Sequence, residues 1–262
     1  DKGVYGRVVY LQPVDWASGW PMMGNNGEPY VRYRKPKAAT SERPDRHAPQ
    51  TSDEFNDTRL GLQWQWHANY NQTFGMLTAD GCMRLFTRGK APSASNLWSA
   101  PNLLLQKLTA PAFTATAKVC FSAKEAEQRG GLLLMGRDYS ALVVRSTADS
   151  TFLLQQLTCI GADEGAEEQA QTLATLQPTK RDSIQYSPAI HLTIFLRARI
   201  ANGRCQFAYS TDGRRFRDAG RPFTLKEGKW IGSKLGFMAD SSAPQKLRGW
   251  LDVDWLRVTD DE

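Results

Sequence analysis

Metal-ligand and redox spacings are missing from this sequence. Its three histidines (His47, His67, His191) and four cysteines (Cys82, Cys120, Cys159, Cys205) stand too far apart for a zinc knuckle or a Cys-x-x-Cys pair. The cysteines occupy strand-like contexts, where a free thiol behaves as a small buried hydrophobe. One disulfide is open to them in an oxidising compartment, but spacing alone assigns no pairing. No run of about 18 apolar residues occurs, so no membrane-spanning helix is expected. No leader pattern opens the sequence either, which starts within a strand pattern, as a mature fragment would. There is no block of five or more like charges. The net charge is +6 and the pI about 9.2, yet 27 acidic residues are interleaved with 33 basic ones, so no nucleic-acid footprint is indicated. A Gly-x-Ser-x-Gly elbow, a phosphate loop and a His-Glu-x-x-His helix are all absent, which removes three hydrolase and nucleotide chemistries.

Convincing amphipathic helices are missing too, and strand patterns fill their place. Strands are expected at 62–67, 73–78, 82–87, 101–108, 112–121, 130–136, 140–146, 151–159, 190–199, 204–210, 215–217, 235–239 and 247–258. Turn chemistry separates them at Ala79-Asp80-Gly81, Arg129-Gly130-Gly131, Ala201-Asn202-Gly203, Thr211-Asp212-Gly213 and Lys226-Glu227-Gly228. About ten to thirteen antiparallel strands with so little helix predict a two-sheet sandwich. The polar segment 161–182 reads as an exposed hairpin insertion. Eight tryptophans and eight tyrosines suit either a sandwich core or stacking on sugar C–H faces.

The sandwich opens at 53–66, where Leu60, Leu62, Trp64 and Trp66 alternate with Gly61, Gln63 and Gln65 as in a half-buried strand. The acids before it, Asp53, Glu54 and Asp57, suit either a hard cation or a solvated turn. Upstream, residues 35–50 carry three prolines, many charges and no large apolar residue, the composition of a linker. Residues 1–34 hold three short strands, at 7–14, 20–23 and 29–33, too few to cover a core. They are expected to dock on the next domain or to close something larger.

Glycoside hydrolysis needs two carboxyl groups across a cleft, roughly 5–5.5 or 6.5–9.5 Å apart. No strand aims such a pair from one concave face. Glu125, Glu127, Glu164, Glu167 and Glu168 lie in polar, loop-like stretches and read as solvated surface. No catalytic residue is expected in this chain.

The stretch Gly6-Arg7-Val8-Val9-Tyr10-Leu11-Gln12-Pro13-Val14-Asp15-Trp16…Gly19-Trp20-Pro21 resembles the closing strands of the five-bladed propeller of glycoside hydrolase family 43, the β-xylosidases and α-L-arabinofuranosidases. Asp53-Glu54-Phe55, Leu62-Gln63-Trp64-Gln65-Trp66, 102–107, 131–136, Tyr209-Ser210-Thr211-Asp212-Gly213, 230–236 and 249–255 resemble that family's C-terminal sandwich. The resemblance covers nearly the whole chain in order. It implies an all-β fold: a concanavalin A-like (jelly-roll) antiparallel β-sandwich over 51–262, preceded by a remnant of the propeller over 1–34. It implies a partner, the remainder of the propeller, whose blades hold the family's three catalytic carboxylates. The chain then reads as the C-terminal piece of an inverting exo-glycosidase acting on xylan or arabinan oligosaccharides outside the cytoplasm, in the periplasm or beyond the cell. The alternatives are a stand-alone carbohydrate-binding lectin-like module and a purely structural sandwich.

Two positions match family residues that touch substrate. Arg7 matches an arginine reaching from the last blade into the active site, where its planar fork serves sugar hydroxyls; an Arg paired to an acid at the propeller end is the competing reading. Trp230 stands where the family sends an aromatic from a sandwich loop to close the pocket; the competing reading is a core or interface tryptophan. First and last strands lie side by side in such sandwiches, so Asp53 and Asp254 are candidates to share one Ca²⁺. The competing account pairs these carboxylates with Arg59 or Arg257.

Overall fold

The computed structural model describes residues 3–7, 9–16, 19–34, 50–89, 95–181 and 189–260. It divides into two units, one spanning Arg7–Ala48 and the other joining Lys2–Gly6 to Pro49–Glu262. In the first, the ladder among the described residues is β1 (Val14–Asp15) against β2 (Met22–Met23). Gln12 adds a two-way clamp: Tyr30 N donates to its Oε1 (2.8 Å) and its Nε2 donates to Tyr30 O (3.1 Å). The expected third strand at 29–33 does not form. Val8 and nearly all of the expected linker, 35–49, lie outside the described residues.

Among the described residues, the second unit is a sandwich of sixteen strands. They are β3 (Gln65–Trp66), β4 (Gly75–Leu77), β5 (Met83–Phe86), β6 (Arg88–Gly89), β7 (Leu104–Lys107), β8 (Ala112–Ala123), β9 (Gln128–Met135), β10 (Tyr139–Ser146), β11 (Phe152–Cys159), β12 (Gln169–Leu176), β13 (Lys180–Arg181), β14 (Ile190–Ala201), β15 (Arg204–Ser210), β16 (Arg217–Thr224), β17 (Lys234–Ser241) and β18 (Trp250–Thr259). One sheet runs β12-β11-β10-β9-β17-β7-β3, with β6 beside β17; the other runs β16-β15-β14-β8-β18-β5-β4, with β13 beside β14. Among the described residues all pairings are antiparallel except β6 with β17.

Period-2 patterning builds the second sheet. On β8, Phe113, Ala115, Ala117, Val119 and Phe121 are buried while Thr114, Thr116, Lys118 and Cys120 are only partly so. β14 answers with Leu192, Ile194, Leu196, Ala198 and Ile200, in unbroken register from Ile190↔Ala123 to Ala201↔Ala112. These faces meet Leu132, Leu134, Leu142, Leu154 and Phe237 of the first sheet in the main core. The first sheet does not alternate, because it is buried on both faces. Leu105, Leu133, Val143 and Met238 form a second core on its outer side, under the segments carrying Leu97 and Ala162.

Two expectations are corrected here. Arg129-Gly130-Gly131 is no turn; it lies inside β9. A Cβ on Gly130 would come within 3.0 Å of the Phe121 ring, so this glycine serves the close approach of two sheets. The polar stretch 161–182 begins with a short 3₁₀ turn, Ala162–Glu164, and then supplies β12, an eight-residue edge strand. Asn202-Gly203 does make the expected hairpin: both have positive φ (51° and 70°), as a type I′ turn requires.

Candidate functional site

The chain crosses from edge strand β16 of one sheet to interior strand β17 of the other through residues 225–233. Ser233 closes the base of this loop, its Oγ donating to Lys226 O (2.6 Å) and its N to Val4 O (2.7 Å). Arg137 N donates to Glu227 O (3.0 Å). A Cβ on Gly232 would fall 2.5 Å from Val4 O and 2.6 Å from Gly6 N, so only glycine lets 3–6 lie flat against the loop. Between these fastenings stands Trp230, with 73% of its surface exposed and φ of 79°. A left-handed backbone on a bulky residue costs on the order of 1–3 kcal/mol and persists only where surrounding contacts over-determine it. The fold thus presents a flat indole, with Ile231 beside it also exposed, from a pinned, strained loop. Such a ring can lie on the apolar face of a sugar and exclude water from it.

Arg7 is exposed within the other unit. Asp53 is neither in a solvated turn nor on a regular strand: it is the hub of the 53–66 segment. Its main chain bridges Leu256 in both directions at 2.8 Å, so the start of this segment lies beside the last strand, β18. Its Oδ1 accepts from Phe55 N (2.8 Å), and its Oδ2 from Gln63 Nε2 (2.9 Å) and Trp64 Nε1 (2.8 Å). Asp254 sits at an irregularity of β18 and pairs with Lys118 (2.6 Å). These residues do not fit a calcium site. Both Asp53 oxygens face N–H hydrogens, which repel a cation, and Asp254 already has a counter-charge. No group of three or more His, Cys, Asp or Glu side chains gathers among the described residues. Of the arginines weighed as partners for these two acids, Arg257 pairs instead with Glu54 (2.8 Å), which holds that carboxyl below its usual range.

Glu168 is a correction. Read from sequence as solvated surface, its side chain is 5% exposed. Arg129 donates to Glu168 Oε1 (2.7 Å) and, through two nitrogens, to Asp240 (2.6 and 2.9 Å); Tyr139 OH donates to Glu168 Oε2 (2.6 Å). Two carboxylates therefore converge, but on a guanidinium that holds Asp240 through two nitrogens and Glu168 through a third. Burial, with the Glu168 charge beside it, pushes the Tyr139 hydroxyl far up, so it stays a donor. A signal existed: Arg129 directly precedes the run Gly130–Met135 and Asp240 directly follows the run Leu235–Ala239, and a charge carried into a buried strand needs a partner. Glu125 and Glu127 are also committed, to the Lys246 and Leu247 amides and to Arg145. All four cysteines are free thiols.

Comparison with known proteins bears on this arrangement. Residues 52–259 match the family described as the β-xylosidase C-terminal concanavalin A-like domain of glycoside hydrolase family 43. A β-xylosidase of Formosa agariphila is 28% identical over 277 aligned positions, covering 96% of this chain and 42% of that protein. A non-reducing end α-L-arabinofuranosidase of Bacteroides ovatus, BoGH43B, is 30% identical over 159 positions, covering 58% of this chain and 28% of the relative. The chain therefore spans less than half the length of these curated relatives. Among solved structures, the family 43 protein BlXynB of Bacillus licheniformis superposes with a TM-score of 0.69 at 20% identity, over 98% of this chain and 47% of its own. A bifunctional GH43-CE protein of Bacteroides eggerthii gives a TM-score of 0.70 at 23% identity, over 99% and 32%.

Proposed function

Because this chain belongs to the family of glycoside hydrolase 43 C-terminal concanavalin A-like domains, we propose that it is the accessory part of an exo-acting glycosidase, capping and shaping the active site of a propeller. The substrates are xylosides or arabinofuranosides at the non-reducing ends of plant hemicellulose. In this reading, hydrolysis proceeds with inversion on carboxylates of the remaining propeller: one activates water and another protonates the leaving oxygen. Residues of this chain contribute around that chemistry. Trp230 lies over the terminal sugar, holding it in place and keeping bulk water out. Arg7 presents two parallel N–H donors to vicinal hydroxyls. Such an enzyme meets its polymer outside the cytoplasm; no helix among the described residues is long and apolar enough to cross a membrane.

The observation that carries the proposal is the exposed Trp230 on a strained, fastened loop. Exposure of Val9, Tyr10, Leu11, Trp16 and Trp20 in the smaller unit supports a further body to cover them. In the full-length protein, Trp230→Ala is expected to lower kcat/KM on p-nitrophenyl β-xyloside or α-L-arabinofuranoside at least about tenfold, with Trp230→Phe retaining most activity. Unchanged kinetics for Trp230→Ala on both glycosides would sink the capping role.

A further inference from the structure

The sandwich has an open edge where the outermost strands of its two sheets, β12 and β16, approach one another. A groove of about 690 Å³ lies there, within the range of ligand sites. Both edge strands are irregular beside it. On β12 the register with β11 slips between Leu154 and Gln155, leaving Leu173 unpaired. On β16 the register with β15 slips so that 220–222 stand opposite Gln206 alone. Bulges re-aim side chains and interrupt ladders, and they gather at sites of function.

The β16 wall is fixed in advance. Gln156, buried under it, accepts from Arg221 N at Oε1 (2.8 Å) and donates from Nε2 to Arg221 O (2.8 Å). Gly220 permits this clamp: its φ is 67°, and a Cβ would sit 2.1 Å from Gln156 Oε1. The clamp turns the Arg221 guanidinium into the rim of the groove. Opposite, Gln169 and Gln171 of β12 line the other wall. None of these three exposed side chains has a hydrogen-bond or ion-pair partner among the described residues. Ile160, 62% exposed, adds an apolar surface. Lys226, at the base of the Trp230 loop, lines the end of the groove.

We infer that this edge groove binds a neutral pentosan chain. Planar carboxamides both donate and accept, and a guanidinium donates in a fixed fork, which matches vicinal sugar hydroxyls. The exposed isoleucine suits a sugar C–H face, and a wall held by Gln156 costs little ordering on binding. The ligand class rests on the proposed parent activity; the binding role goes beyond the capping of a terminal sugar.

The test uses the full-length protein and two variants, Gln171→Ala and Arg221→Ala, whose exposed side chains can be truncated without breaking a contact. Affinity electrophoresis in soluble arabinoxylan and in arabinan reads polymer binding, and p-nitrophenyl glycoside turnover reads the terminal-sugar site. Each variant is expected to bind at least one polymer about fivefold more weakly while its kcat/KM on the small glycoside stays within about twofold. Absence of wild-type retardation in both polymers overturns the groove assignment, as does unchanged affinity in both variants or an equal loss in both readouts. A Trp230→Ala protein with full turnover alongside weakened polymer binding by Arg221→Ala would defeat the capping role and leave the groove standing.

Discussion

His67 shows how a single side chain couples this fold to pH. Its Nε2 lies 3.0 Å from Trp98 O, so that nitrogen carries the hydrogen, and Nδ1 is buried with no hydrogen-bond partner among the described residues. Burial is the main force depressing its pKa; the Trp98 carbonyl opposes this, and the nearby Lys234 charge adds to the depression. The sign follows from proton counting. Below the unfolded value, about 6.5, the unfolded chain binds a proton that the folded chain refuses, so stability rises with pH across that window. The contribution is complete above about pH 6.5 and is lost as pH falls toward the depressed folded value. His67→Gln is therefore expected to flatten the dependence of the unfolding midpoint between about pH 7 and 5. Identical slopes for wild type and variant would refute this. Trp230 makes a different residue-scale point: its identity and exposure mark the candidate site, while nothing in its neighbours' chemistry alone dictates a positive φ.

At the scale of elements, the first sheet needs a cover and the buried ion network latches it. β9 supplies Arg129, β17 supplies Asp240, and the stretch leading into β12 supplies Glu168, whose partner Tyr139 also accepts from Leu97 N (3.0 Å). Cover and sheet are thus joined through charges exposed by only 4–6%. Replacing such a network wholesale by apolar groups is often tolerated, but removing Glu168 alone leaves Arg129 paired with Asp240 while Arg129 Nη1 and the Tyr139 hydroxyl lose their buried acceptor, at a cost of about 1–3 kcal/mol each. Glu168→Leu should lose stability of that order in urea titration, and Glu168→Gln, whose Oε1 still accepts from Arg129 while its Nε2 donates to the Tyr139 oxygen, distinctly less. A loss for Glu168→Leu no greater than for disrupting the exposed pair Arg257–Glu54, worth about 1 kcal/mol or less, would show that Glu168 is not a latch.

For the whole molecule, the two units differ in how they cover apolar surface. The sandwich buries Phe113, Phe121, Phe152, Phe207 and Phe237 almost completely. The smaller unit instead leaves Val9 91% and Leu11 82% exposed, along with both of its tryptophans. So many exposed large apolar side chains in one small unit mark an interface or an aggregation hazard. The 262-residue chain on its own is expected to bind a hydrophobic dye and to self-associate, and a variant carrying Val9→Ser, Leu11→Ser, Trp16→Ser and Trp20→Ser to do so much less. Equal dye binding by the two would refute this. Much of this architecture was legible. Alternation in β8 and β14, Asn202-Gly203 and the order of the strands follow from local pattern, because side chains on a two-faced strand record which face is wet. The doubly buried first sheet hid its ends, and Gly130 imitated a turn, because a glycine needed for close approach looks the same as one needed for positive φ.

By itself, the sequence determined an all-β sandwich, its family resemblance and the loop position of Trp230, since these rest on short-range periodicity and ordered motifs. Tertiary structure alone decided what the charges do. Glu168 became a buried latch, and Asp53 a hydrogen-bond hub in place of a cation ligand, because burial and partners separated by up to 39 residues set these carboxylates' roles. Tertiary structure also placed Gln171 of β12 and Arg221 of β16 on one groove, 50 residues apart in the chain. No local pattern records that meeting, because it depends on which strands end at the edge of each sheet.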